Sequence, residues 1–303
     1  MRYVIIGGSA AAIGCIEGVR SVDKTGEIIL ITGETEWNYS RPLISYLLEG
    51  KTTRDKMWCR PDSFFTRNGV TVKAGVLATA LDAGDRTVRL STGERLAYDR
   101  LLAATGSRPF VPPIPGLETV ERTFCFQTLS DASALAEALR PESRVLILGA
   151  GLTGVKCAEG IRGLCAQIAI ADLAPRVLPA VLDDTAAAMV QARMEEKGVR
   201  FYLNDSAAAF RGNTARLQSG TELEFDVLVT AVGVRPNTQL VADAGGAVDR
   251  GILVDGRCAT TLPDVYAAGD CAQGYDAVSG EKRMLPLWPN AVLQGETAGI
   301  NMA

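Results

Sequence analysis

Apolar residues fall in short unbroken blocks, each closed by small residues. Residues 2–6 (Arg-Tyr-Val-Ile-Ile) form the first block. Gly7-Gly8-Ser9 follows as a turn, and residues 10–20, rich in Ala and Ile, predict a helix. Residues 27–32 (Glu-Ile-Ile-Leu-Ile-Thr) are nearly all apolar, as a strand covered on both faces should be. The same order returns with a strand at 144–148, a turn at 149–154, a helix over 152–164 and a strand at 167–171. One βαβ unit used twice predicts an α/β fold built on parallel sheets.

Elsewhere the pattern changes. Residues 70–104 alternate as short antiparallel strands would, with turns at 82–86 and 91–94. The proline-rich run 109–116 is stiff and marks a domain crossing. A helix is expected over 130–140 with Ser130 or Asp131 as its cap. Further strands are expected at 199–203, 215–218, 223–232 and 252–255, and a last helix over 290–302.

Gly149-Ala150-Gly151-Leu152-Thr153-Gly154 is a complete G-x-G-x-x-G placed after a strand and opening a helix. The first glycine permits the turn, the second admits a pyrophosphate, and the third lets helix and strand pack closely. The phosphates then lie on the helix N-terminus. Asp172, at the end of the next strand, can bind a ribose 2′-OH and would repel a 2′-phosphate, which favours NAD over NADP. Gly7-Gly8-Ser9-Ala10-Ala11-Ala12 is a weaker version, with Ser9 at the second glycine position and Ala12 at the third. Glu34 is its matching ribose carboxylate, with Glu36 the second candidate. Residues 98–109 make a buried strand ending in the small turn Ala104-Thr105-Gly106. Residues 264–270 end a strand at Gly269 and deliver Asp270, suited to a sugar-alcohol hydroxyl.

Length and composition narrow the chemistry. A chain of 303 residues, 47% hydrophobic and 22% charged, has room for two cored domains. A net charge of −4 without a basic run argues against nucleic acid and against a membrane surface. No apolar run of spanning length occurs, and the expected compartment is the cytoplasm. Seven scattered cysteines without a C-x-x-C or a Cys/His cluster argue against disulfide frameworks and metal sites. There is no histidine, so any activity works without an imidazole. Hydride transfer does, because cofactors carry that chemistry.

These segments, with Val232-Gly233-Val234-Arg235-Pro236-Asn237, Tyr39-Ser40-Arg41-Pro42-Leu43 and Tyr266-Ala267-Ala268-Gly269-Asp270, resemble the FAD/NAD(P)-binding pyridine nucleotide–disulfide oxidoreductase superfamily over essentially the whole chain. The branch it is most similar to holds the NADH:rubredoxin reductases, the ferredoxin reductases of oxygenases and the flavin-binding part of assimilatory nitrite reductases. The resemblance implies two Rossmann-like three-layer ββα domains of glutathione-reductase type. The FAD domain would be discontinuous (1–112 and 241–303), with the NAD domain (113–240) inserted. By the same likeness FAD would meet Gly7, Gly8, Ser9, Ala10, Ala11, Glu34, Arg41, Pro42, Val76, Ala104, Thr105, Gly106, Arg108, Gly269, Asp270 and Trp288. NADH would meet Gly149, Gly151, Leu152, Thr153, Gly154, Asp172 and Gly233.

The departures from the family bear most on function. Disulfide reductases of this superfamily keep a redox cysteine near the flavin, and Pro42 stands at the single-cysteine position. Disulfide reduction is therefore disfavoured, and Cys59, Cys157 and Cys165 are expected to be structural. Lys156 stands where the family often has a Glu, and Tyr46 is expected to be a core aromatic. Relatives usually continue past Ala303 into an interface domain, so a longer parent protein is expected. The expected activity is an FAD-dependent NADH oxidoreductase passing electrons to rubredoxin, ferredoxin or an iron–sulfur subunit, with a homodimer left open. The alternatives are a flavin- and NADH-binding subunit or sensor with little turnover, or an NADH oxidase.

Overall fold

The computed structural model describes all 303 residues, Met1–Ala303. Its segments group into two compact units. Met1–Ser40, Trp58–Arg108 and Pro236–Ala303 form the first, and Arg41–Met57 with Pro109–Arg235 form the second.

The first unit is built on a five-stranded parallel sheet. Its spatial order is Val265–Ala267, Arg100–Ala103, Arg2–Ile6, Glu27–Thr32, Val70–Ala74. Side chains alternate across a strand, and the alternation sorts the core into two layers. Tyr3, Ile5, Ile28, Leu30 and Leu102 face helices α1 (Ala10–Val22) and α8 (Trp288–Met302). Val4, Ile6, Ile29, Ile31 and Leu101 face Leu81, Val88 and Leu90 of a three-stranded antiparallel sheet, residues 78–97. Each fully buried Leu or Ile contributes about 1.5–3 kcal/mol by leaving water. The two helices meet backbone to backbone. A Cβ on Gly14 would lie 2.2 Å from the Val292 carbonyl oxygen, and one on Gly295 2.0 Å from that of Ala11.

The second unit repeats this plan. Its parallel order is Val199–Leu203, Gln167–Asp172, Arg144–Leu148, Val227–Thr230, Thr123–Phe124. One face packs on a second antiparallel three-stranded sheet through Phe210, Ala215, Leu217 and Phe225. Its helices are α2 (Ile44–Leu48), α4 (Leu129–Ala138), α5 (Leu152–Ile161) and α6 (Asp184–Glu195). In the first unit the short α3 (Asp62–Arg67) and α7 (Gln239–Asp243) complete the set.

Several expectations change. Only residues 78–97 of the 70–104 run are antiparallel. Val70–Ala74 and Arg100–Ala103 join the parallel sheet, because burial on both faces outweighs their local alternation. The 223–232 block is two strands, broken at Asp226, whose carboxylate accepts the Arg144 backbone N–H at 2.8 Å. Helix α4 is capped by Thr128, not Ser130 or Asp131. The Thr128 hydroxyl accepts from Asp131 N at 3.0 Å, and the Asp131 carboxylate accepts from Thr128 N at 2.8 Å, closing a capping box. Residues 41–57, expected with the first unit, cluster with the second. The reason is Gly160 on α5, where a Cβ would sit 3.0 Å from the Ser45 carbonyl oxygen, so α2 lies directly against the α5 backbone. Helix α6 has no strong sequence pattern and was not expected.

Candidate functional site

Both glycine turns take the shape their spacing predicts. Gly7 has φ +121° and Gly149 φ +109°, conformations open to glycine. A Cβ on Gly7 would strike the Ala104 carbonyl oxygen at 2.0 Å, and one on Gly149 the Ala231 carbonyl oxygen at 2.3 Å. In each unit the first turn of the repeat is therefore pressed against the end of a neighbouring strand. The third position differs. A Cβ on Gly154 would lie 1.9 Å from the Gly149 carbonyl oxygen, whereas Ala12 fits fully buried in the first unit.

The second position faces open space. Gly151 caps α5, and nothing lies within 4 Å of the Cβ it lacks. Its absence of a side chain serves no packing inside the protein, which fits a bound group approaching the backbone. Ser9, the matching residue, caps α1, and its hydroxyl makes no capping bond. Neither α1 nor α5 carries an acidic residue in its first turn, so both N-termini keep their attraction for anions. Leu152 and Thr153 are exposed on that first turn of α5. These features fit a dinucleotide pyrophosphate at each turn.

The strand-end carboxylates are held differently. Glu34 accepts a hydrogen bond from the hydroxyl of buried Tyr39 at 2.7 Å. Asp172 accepts from the Ala150 backbone N–H at 2.5 Å and from that of Ala174 at 2.7 Å, so it ties the glycine turn to the end of its strand. Sequence reasoning missed both supports. Gly233, with φ +110°, accepts the Phe110 N–H at 3.0 Å and has nothing within 4 Å of a would-be Cβ.

Thr105 and Arg108 are tied together through Asn237. The Thr105 hydroxyl donates to the Asn237 carbonyl at 2.6 Å, and the Asn237 amide returns a bond to the Thr105 carbonyl at 2.9 Å. Arg108 donates to the Asn237 side chain at 2.9 Å. Gly106 has φ +64° with open space before it. Asp270 follows Gly269 (φ +81°) and accepts the Ser107 hydroxyl at 3.0 Å. Gln294 of α8 accepts the Gly269 N–H at 2.9 Å and fixes this strand end. Ala10 and Ala11 are buried in the first turn of α1, and Trp288, partly buried, opens α8. Val76 is partly buried, and its N–H bonds the Thr32 carbonyl at 2.9 Å. Arg41 and Pro42 fall in the second unit, where the Arg41 guanidinium donates to the Gln127 carbonyl at 3.0 Å.

Six of the seven cysteines have thiols that burial holds in the neutral form. Burial pushes the thiols of Cys59, Cys165 and Cys258 up to about 11, and raises those of Cys15, Cys157 and Cys271. All seven cysteines are free. Tyr46 is not the expected core aromatic. It is 36% exposed, and its ring lies 4.2 Å from the Lys156 ammonium, which also pairs with Glu159. Lys156 thus engages α2 and its own helix.

Residues 1–295 match the pyridine nucleotide-disulphide oxidoreductase family, and the chain belongs to it. Along its whole length it is 33% identical to the epsilon subunit of NADH-dependent phenylglyoxylate dehydrogenase from Aromatoleum evansii, spanning 72% of that protein. It is 32% identical to the assimilatory nitrate reductase electron transfer subunit of Bacillus subtilis (strain 168), over 92% of this chain but only 37% of that one. Among solved structures, a chain of the covalent putidaredoxin reductase–putidaredoxin complex superposes with a TM-score of 0.92 at 26% identity, covering 99% of this chain and 75% of the other. The fold is the two-fold Rossmann-like α/β architecture of that family. No helix is long and apolar enough to cross a membrane.

Proposed function

We propose that this chain is an FAD-dependent NADH oxidoreductase that hands electrons to an iron–sulfur protein or a partner subunit without a redox-active disulfide. The observation that carries this reading is the pair of glycine turns, each opening an acid-free helix N-terminus and each accompanied by a strand-end carboxylate. FAD would lie on Gly7, Gly8 and Ser9 with Glu34 toward the adenosine ribose and Asp270 toward the ribityl chain. NADH would lie on Gly149, Gly151 and Gly154 with Asp172 toward its ribose, which favours NADH over NADPH. The cofactors would supply the hydride and single-electron chemistry when bound. The chain's own part is to hold them in register and exclude water. No protein acid or base is required, which suits a chain without histidine. The upward-shifted thiols of half-buried Cys59 and Cys165 and of buried Cys157 support the absence of a disulfide step. The names of two relatives, an NADH-dependent dehydrogenase subunit and an electron transfer subunit, point the same way.

The test is turnover of the FAD-loaded chain with NADH and ferricyanide, before and after iodoacetamide treatment, beside an oxygen electrode. Acceptor reduction that survives alkylation, with slow oxygen uptake, is expected. Rapid oxygen uptake without acceptor would make the protein an NADH oxidase. Negligible turnover with bound cofactors would make it a non-catalytic subunit.

A further inference from the structure

Helix α6 is poorly covered. Of its twelve residues only Ala187 is buried, and Met189 is 71% exposed. Between α6 and α5 runs a groove of about 350 Å³, floored by Val155, Ala158 and Val199 and walled by Met189, Val190 and Met194. Glu159, Arg162, Arg193 and Lys197 form its rim. Arg193 pairs with Glu196 at 2.7 Å. Glu159 pairs with Lys156 and also feels Lys51 and Lys197, and these cations hold its carboxyl below the usual range. Arg162 and Lys197 form no ion pair. The rim is therefore net positive on a chain whose net charge is −4.

Cations at helix ends also suit the helix dipoles of α5 and α6. That role does not account for the apolar side of the groove, where Met189 stands 71% exposed above the buried Val155, Ala158 and Val199. Methionine walls repack around different apolar surfaces, and a trough between two helices accepts the ridges of a third.

We infer that the α5–α6 groove docks an acidic amphipathic helix of a partner protein, its apolar stripe on Met189, Val190 and Met194 and its carboxylates on Arg162 and Lys197. The groove lies within the second unit and is independent of the flavin reading. It gives a partner subunit an anchoring surface made only of this chain's own helices.

The experiment uses a fluorescein-labelled synthetic helix of about 18 residues, with Leu and Met at i, i+3, i+4 and i+7 and Glu elsewhere. Its anisotropy is titrated with the full chain at low salt. Saturable binding is expected, weakened about tenfold or more by Met189→Asp, and likewise by Arg162→Glu with Lys197→Glu. Met189 is exposed, so thermal unfolding of its variant should match the parent. Methyl NMR of Met189 and Met194 should shift on titration. Absent saturation, equal binding of a lysine-substituted peptide, or unchanged affinity in the variants would overturn the proposal. So would sedimentation showing that Met189→Asp abolishes self-association, which would assign the groove to a second copy of the chain.

Discussion

Gly151→Ala separates a binding role from a packing role at a single atom. Gly151 has φ −75° and ψ −176°, a conformation any residue adopts, and no protein atom lies within 4 Å of the new Cβ. Alanine lowers unfolded-chain entropy by about 0.4–1 kcal/mol and is a poorer helix cap by a similar amount, so stability should change by less than about 1 kcal/mol. The same methyl group enters the open space proposed for the pyrophosphate. Pushing away one charge-assisted N–H···phosphate bond costs about 1.5–3 kcal/mol, or roughly ten- to hundredfold in Kd for NADH. Gly154→Ala is the control with the opposite balance, since its Cβ would meet a backbone oxygen at 1.9 Å. Overpacking of that kind costs about 1–3 kcal/mol and lowers the melting temperature by about 2–10 °C. Calorimetric NADH titration and thermal unfolding of both variants decide the matter. Unchanged NADH affinity in Gly151→Ala, or an unfolding loss equal to that of Gly154→Ala, would refute the argument.

Asp172→Arg should weaken NADH and improve NADPH in steady-state kinetics, and an unchanged preference would remove Asp172 from the ribose site. Asp270→Ala should release FAD on gel filtration, and full retention would mean that this strand end does not touch the flavin chain. Melting temperature should hold up to about pH 9 and fall above it. The thiols of half-buried Cys59 and Cys165 and of buried Cys258 are pushed up to about 11 when folded against 9 as the ordinary value, so only the unfolded chain ionises in that window. A flat profile to pH 11 would contradict it. Gly295→Ala should destabilise the chain by separating α8 from α1, read as a lower unfolding midpoint in urea.

The repeated βαβ units were legible because their signals are local: an apolar block, a glycine needing positive φ, then a helix. The proline-rich run 109–116 begins where the first unit's second segment ends, at Arg108. What was missed depends on contacts distant in sequence. Residues 41–57 join the second unit because of Gly160, over a hundred positions away. The glycine pairs at 14 and 18 on α1 and at 295 and 299 on α8 carry no sequence signal of their partners, and only the fold sets them opposite one another. Val70–Ala74 alternates like an antiparallel strand, but its parallel neighbour decides its role. Asp172 was read for its ligand, while its bond to Ala150 exists only because the turn closes over the strand end. Tyr46 looked like core because nothing in the sequence sets Lys156 above its ring.

The most direct measurement is the visible spectrum of the FAD-loaded chain before and after anaerobic NADH. Rapid loss of the oxidised-flavin absorbance, retained in Cys59→Ser, is the predicted result. A bound flavin that NADH leaves unchanged would contradict the central claim that the two sites work as one oxidoreductase.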